Sequence, residues 1–238
     1  MHRFNWLYRS VPAGLVIASI HLASCSTSNP AGPSENTGSA PAIGSHYTFH
    51  SITLIDYSSE FNSINEMVVT ESGLKVEGEE NVVKITSDSI FNTYYTFRNN
   101  GDIGFLYNVE FNGTIVDSIW VTYPTGGRSD APALRYDRDI NGKHVLVNGT
   151  IRYLGPQQLT VPAGTFRTEM VEFRAETYGG NAGATPLIES SNLDTLWFAP
   201  DIHLHVKKSG VDKLVIDGPG STLVTYLATT TLQRYTLL

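Results

Sequence analysis

The chain holds one cysteine, three methionines and three tryptophans, and only 16 of its 238 residues are Lys or Arg. A single cysteine, Cys25, allows no disulfide within the chain, so the fold has to rest on apolar packing and backbone hydrogen bonds. No apolar run reaches the roughly 20 residues a membrane-spanning helix needs. Basic residues nowhere cluster, and 23 acidic residues bring the formal charge to −7. Dispersed negative charge works against nucleic acid and anionic lipid headgroups as partners. Also absent are a Gly-x-Ser-x-Gly nucleophile elbow, a phosphate loop, a dinucleotide fingerprint and a zinc signature. These absences point to a protein that is not an enzyme and carries no cofactor.

What the first 45 residues do contain is an address. His2, Arg3 and Arg9 form a basic start, and Val11 to Ala23 is mostly apolar, the layout of a signal peptide. Leu22-Ala23-Ser24-Cys25 closes it. This stretch resembles the lipobox of bacterial lipoprotein precursors, with an aliphatic residue, two small residues and then cysteine. The resemblance implies cleavage after residue 24 and lipidation of Cys25, which anchors the chain to a membrane. Loss of Arg3 and Arg9 with the signal takes the formal charge to −9. Ser26 after the cysteine, by analogy with enteric lipoproteins, implies the outer membrane, and the lack of an acidic run at 26–30 implies its periplasmic side. Residues 25–45 are rich in Ser, Pro, Gly and Asn. They bury too little apolar surface to offset chain entropy and read as a disordered tether.

Residues 46–238 read as one all-β domain. Phe91, Thr93, Tyr95 and Phe97 alternate with polar neighbours, Asn99-Asn100-Gly101-Asp102 turns the chain, and Ile103, Phe105, Tyr107 and Val109 alternate on the return. This is a hairpin pattern. Asn-Gly pairs at 112–113, 141–142 and 148–149 predict further turns. Val161-Pro162-Ala163-Gly164 predicts another hairpin, with Pro162 presetting φ and Gly164 supplying a positive φ. Along the strand after it the apolar parity switches, from Phe166 and Met170 to Val171, Phe173 and Ala175, which predicts a bulge near Met170. About ten or more antiparallel strands with little helix imply a strongly curved sheet or partly open barrel.

Val161-Pro162-Ala163-Gly164-Thr165-Phe166 is followed about thirty residues later by Leu196-Trp197-Phe198-Ala199-Pro200 and then Lys207-Lys208. In order and spacing the pair resembles an uncharacterised family of bacterial envelope proteins that usually read Val-Pro-Ala-Gly-Thr-Phe and then Trp-Tyr-Ala-Pro-Gly-Val-Gly-Leu-Val-Lys. The resemblance implies a partly open β-barrel similar to the carriers that shuttle lipoproteins across the periplasm, and it brings no catalytic residues. Asp201-Ile202-His203-Leu204-His205 departs from the family's glycine-containing segment.

Three groups are candidates for a site. His203 and His205 alternate with Ile202, Leu204 and Val206, which predicts both imidazoles on one strand face about 7 Å apart, with Asp201 as a third metal ligand; Lys207 and Lys208 oppose a cation there, and a polar outer face is the simpler reading. Asp137, Asp139 and Asn141 match half of a calcium loop, but loop position 12 falls on Asn148 instead of a bidentate Glu, and a hairpin turn accounts for the same residues. Among the aromatics, Trp120, Tyr123, Trp197 and Phe198 are candidates to line a concave apolar pocket. The expectation is therefore a lipid-anchored envelope protein that binds a hydrophobic ligand, a lipid or an envelope protein. Its rivals are a filled structural module and an envelope hydrolase.

Overall fold

The structure, a computed structural model, describes residues 40–87, 91–98, 101–111, 114–125, 134–140, 142–181, 187–216 and 222–238. The expected signal peptide and lipidation site, Cys25, lie outside the described residues. Twelve strands make one antiparallel sheet: β1 (His46–Ile55), β2 (Ser59–Val76), β3 (Glu79–Ser87), β4 (Phe91–Phe97), β5 (Ile103–Phe111), β6 (Thr114–Tyr123), β7 (Leu134–Ile140), β8 (Lys143–Val161), β9 (Gly164–Asn181), β10 (Leu187–Ala199), β11 (Leu204–Ile216) and β12 (Thr222–Thr236). Their order is β6-β5-β4-β3-β2-β1-β12-β11-β10-β9-β8-β7. The two edge strands, β6 and β7, come together to leave a nearly closed barrel. The all-β, curved-sheet expectation holds.

The edges meet through side chains. Asp117 Oδ2 on β6 accepts a hydrogen bond from the Tyr136 hydroxyl on β7 at 2.8 Å and one from Arg138 at 3.3 Å. Inside, aromatic side chains from both halves of the sheet fill the space. Tyr123 packs against Phe105, Phe173 and Phe198, and Tyr107 packs edge-on against Phe173. Cross-strand partners share one face of a sheet, so the registers extend this inner face from Phe173 to Asp194, Gly210, Ala228, Thr53 and Phe61.

Strand direction places both described chain ends at one pole. Here β1 begins and β12 ends, and Gly44 lies against Leu238. At the opposite pole β1, β7, β9 and β11 end, and β2, β8, β10 and β12 begin. Residues 40–45, assigned by composition to the tether, belong to the ordered domain. Pro41 and Ser45 are buried, and Gly44 N–H donates to the Val69 carbonyl at 2.8 Å.

Two local expectations meet different fates. The bulge does fall opposite Met170 and Val171, but the extra residue is Leu154 on β8, where the register slips between Tyr153 and Gly155. Gly155, at φ 115°, supplies the backbone this needs. Asn148-Gly149, by contrast, is no turn: both residues lie within β8. Gly149 is there for room, because a Cβ would stand 2.9 Å from the Arg174 carbonyl and 3.0 Å from Leu134.

Candidate functional site

The four aromatic candidates divide between the two faces of the sheet. Tyr123 and Phe198 point inward, are 4% and 1% exposed, and touch each other with ring centroids 5.3 Å apart. Their contact belongs to the filled core, and burial raises the Tyr123 phenol well above its ordinary range. Trp120 and Trp197 point outward. Trp120 is registered with Leu106, away from the face of Phe105 and Tyr107, and its Nε1–H donates to the Val76 carbonyl at 3.1 Å. Trp197 donates to Gln157 Oε1 at 2.8 Å, with the Lys207 ammonium 4.9 Å from its ring centre. The structure thus brings only Tyr123 and Phe198 together; strict alternation along β6 and β10 separates each tryptophan from the interior.

The two histidines do not share a strand face. A 3-10 turn, Pro200–Ile202, precedes β11, and His203 caps it in the left-handed region at φ 57°. Its ring stands edge-on to Phe97 at 5.7 Å. His205 is paired with Phe198, while Lys207 is paired with Trp197, so Val206 is an extra residue in the ladder. That bulge turns His205 inward instead of leaving it on a polar outer face. It stacks on Phe49 at 5.2 Å and meets Phe198 edge-on at 6.2 Å. Burial first, and the Lys208 charge second, push the imidazole down to about 3, so it is neutral at ordinary pH. Burial also lowers His203, against a smaller opposing effect of Asp201.

Asp137 and Asp139 lie on edge strand β7, with His144 of β8 between them: Nδ1 is 2.8 Å from Asp139 Oδ1 and Nε2 is 3.5 Å from Asp137 Oδ1. Both imidazole nitrogens are thereby engaged. Asn141 lies outside the described residues. Among the described residues no three His, Cys, Asp or Glu side chains are grouped so as to hold a metal.

Sequence reading missed the most polar part of the interior. Further toward the far pole, the inner face of β10 and β11 carries Asn192, Asp194, Lys208 and Asp212. Lys208 Nζ lies 2.8 Å from Asp194 Oδ2. The Asn192 amide donates to Asp194 Oδ2 at 3.0 Å and to Asp212 Oδ1 at 2.5 Å. One amide therefore ties two carboxylates together, with one lysine against them. Burial raises the Asp212 carboxyl above the usual carboxylate range; the Asn192 bond opposes this, and the Asp194 charge adds to it. Asn192 Oδ1 and Asp194 Oδ1 are buried with no hydrogen-bond partner. The pattern Asn192-Leu193-Asp194 on one strand and Lys208, Gly210, Asp212 on the next has the period of two that places them on one face. Only the pairing of β10 with β11 shows that this face looks inward.

No family model matches the chain, and no curated protein matches it. Among solved structures, the chain is similar to a "putative lipoprotein" from Parabacteroides distasonis, with 11% identity, a TM-score of 0.50, and 82% of this chain and 96% of that one covered. It is also similar to an exported protein with a YmcC-like fold from Bacteroides fragilis, at 13% identity and a TM-score of 0.45, over 84% of this chain and 99% of that one. At such identities the likeness to the Parabacteroides protein is one of fold, a barrel-like antiparallel sheet.

Proposed function

We propose that this chain is a lipid-anchored cell-envelope protein, held through Cys25 to the outer membrane on its periplasmic side, that works by binding and not by chemistry. The observation that carries the reading is the placement of both described chain ends at one pole of the barrel. A lipid on Cys25, joined to residue 40 by a short polar segment, would hold that pole toward the membrane and turn the opposite pole away from it. Partners would then meet the far pole, where Phe61 on the inner face of β2 stays 44% exposed and Leu214 on β11 stays 36% exposed. The Parabacteroides protein of similar fold carries the name of a lipoprotein, in keeping with the lipobox. The paired Val-Pro-Ala-Gly-Thr-Phe and Trp-Phe-Ala-Pro motifs support membership in the uncharacterised envelope family they resemble.

Of the two binding versions, the packing favours an interaction module over a lipid carrier. Tyr123 packs against both Phe173 and Phe198 inside the barrel, where a carrier would keep room for acyl chains. Two measurements test this. Cys25→Ala should move the protein from the membrane fraction to the soluble one, and continued membrane attachment would overturn the anchor. Native mass spectrometry of the mature protein should show no retained lipid besides the anchor itself; a bound lipid of defined mass would restore the carrier version.

A further inference from the structure

Residues 40–45 and 235–238 meet at the pole where both described chain ends lie. They read Ala-Pro-Ala-Ile-Gly-Ser and Tyr-Thr-Leu-Leu, with no acidic or basic side chain. Ile43 is 57% exposed, Tyr235 37%, Leu237 39% and Leu238 74%. The two segments are joined. The Leu238 N–H donates to Ser45 Oγ at 3.3 Å, and its side chain lies over Gly44, the neighbour of Ile43. Gly44 stands at φ 90°, and a Cβ there would come within 2.6 Å of Leu238 Cδ1. Only glycine satisfies both demands.

This surface has a firm backing. At the same pole the β8–β9 hairpin reaches β12: the Ala163 N–H donates to the Leu232 carbonyl at 3.4 Å, and Phe166 packs against Tyr235 at 5.7 Å. Pro162, at the tip of that hairpin, is exposed as well. The titratable residues that flank the two segments, His46 and Arg234, both pair with Glu66. A single exposed apolar side chain needs no explanation, but four on two joined, uncharged segments mark a contact surface.

We propose that Ile43, Tyr235, Leu237 and Leu238 form a membrane-contact site that seats this pole of the barrel in the outer part of a neutral bilayer. A lipid surface is the occupant because of where the preceding chain attaches. Only residues 26–39 separate Cys25 from the first of these segments. A flexible chain of that length spans about 20 Å on average, whereas the ten residues of β1 extend about 33 Å toward the far pole. The bilayer that takes the lipid is therefore within easy reach of this pole and not of the other. So short a link also holds the site at high effective concentration beside the bilayer, which populates a contact too weak to form alone. The side chains suit an interface: isoleucine and leucine enter the acyl region while tyrosine keeps its hydroxyl among the headgroups. The formal charge of −9 on the mature chain favours neutral over anionic headgroups. Four side chains bury too little area to anchor the protein by themselves. Their effect is to orient a barrel that the lipid holds.

This inference rests on the anchored reading, and its test supplies the anchor chemically so that the two fail separately. The mature chain, residues 25–238, is coupled through the Cys25 thiol to a maleimide lipid in phosphatidylcholine nanodiscs that carry a nitroxide on an acyl chain. Broadening of its isotope-labelled Ile and Leu methyl resonances is read by NMR; lipidation in the cell is read by the Cys25→Ala fractionation instead. Broadening at Ile43, Leu237 and Leu238 should exceed severalfold that at Leu187 and Leu223, which are 74% and 54% exposed at the far pole. Equal broadening at both poles, or none at either, would overturn the site, and stronger broadening at the far pole would reverse the orientation. Ile43→Ser should lower the ratio of seated to unseated protein about tenfold, and with it the broadening at Leu237 and Leu238. Unchanged broadening would mean that the tether alone brings the pole close, which also overturns the site. Should Ile43→Ser fail to fold, a water-soluble gadolinium chelate decides on the wild type. Coupling to the nanodisc must shield the Ile43 and Leu237 methyls from it, and unshielded methyls would overturn the contact.

Discussion

Gly210 of β11 is registered directly opposite Asp194 of β10, and a Cβ built on Gly210 would stand 2.0 Å from Asp194 Oδ1. No real contact is that short, so the buried carboxylate occupies the volume of the missing side chain. Glycine in a strand interior usually weakens it; here it is the condition for placing an acid beside Lys208 and Asn192. Gly210→Ala should therefore destabilise the barrel by about 2–4 kcal/mol, through displacement of a buried charge from its partners, even though alanine is the better strand residue. Urea denaturation of wild type and variant checks this. A variant as stable as wild type would mean that Asp194 is free to move away.

The buried imidazole of His205 makes stability depend on pH in a window that can be stated. Its folded-state pKa is pushed down to about 3, while an unfolded histidine takes up its proton near 6.5. As pH falls through about 6.5, the unfolded chain gains a proton that the folded chain refuses. Stability is thus full above about 6.5, declines below it, and levels off near 3. By pH 5 the loss is about 2 kcal/mol from this one group, before most carboxylates protonate. Comparing the pH dependence of unfolding for wild type and His205→Leu between pH 5 and 7.5 isolates it. The leucine variant should show the shallower slope, and identical slopes would mean that the imidazole is not buried.

At His203 the backbone sets the outcome. Its φ of 57° is a conformation that glycine adopts freely and alanine does not. Both His203→Gly and His203→Ala lose the edge-on contact with Phe97, so their difference reports the backbone alone. The glycine variant should be the more stable of the two by about 1 kcal/mol, read from paired thermal or denaturant unfolding. The family that the sequence resembles has a glycine-containing segment here, which is consistent with a backbone demand met less easily by histidine.

What was legible in the sequence follows from how local each signal is. Alternation in Phe91–Phe97 and Ile103–Val109, and the parity switch around Met170, are short-range patterns; the hairpin came out where expected, whereas the bulge expected near Met170 on β9 lies on the neighbouring strand, at Leu154 of β8. The strand that holds it was not legible, because the slip belongs to the pairing of β8 with β9 and either strand can hold the extra residue. The Asn148-Gly149 dipeptide misled for a related reason. Asn-Gly favours a turn, but packing of Gly149 against Arg174 and Leu134 outweighed that preference. His205 was misplaced by one extra residue at Val206, which reverses the face of everything before it. The Asn192–Asp194–Asp212 group was visible as polar alternation and reads, on sequence alone, as solvent-facing. Only the neighbouring strands show that it faces inward.

The seam between β6 and β7 gives the last prediction. Among the described residues, two links across it converge on Asp117 Oδ2, from the Tyr136 hydroxyl at 2.8 Å and from Arg138 at 3.3 Å, but they differ in environment. Tyr136 is 3% exposed; burial, and then the bond to Asp117, push its phenol up to about 12, so it stays protonated and able to donate at ordinary pH. The Arg138 side chain is 68% exposed, and exposed ion pairs are screened and contribute little. Double-mutant cycles should separate the two. Asp117→Asn with Tyr136→Phe should show a coupling of about 1–2 kcal/mol, and Asp117→Asn with Arg138→Ala about 0.5 kcal/mol or less, falling further in salt. Hydrogen exchange adds a structural readout. Loss of the buried tyrosine bond should speed exchange at amides of β6 and β7 while leaving β1 and β12, at the centre of the sheet, unchanged. Faster exchange spread evenly over all twelve strands would mean that the seam unfolds with the rest of the barrel and is not a separable latch.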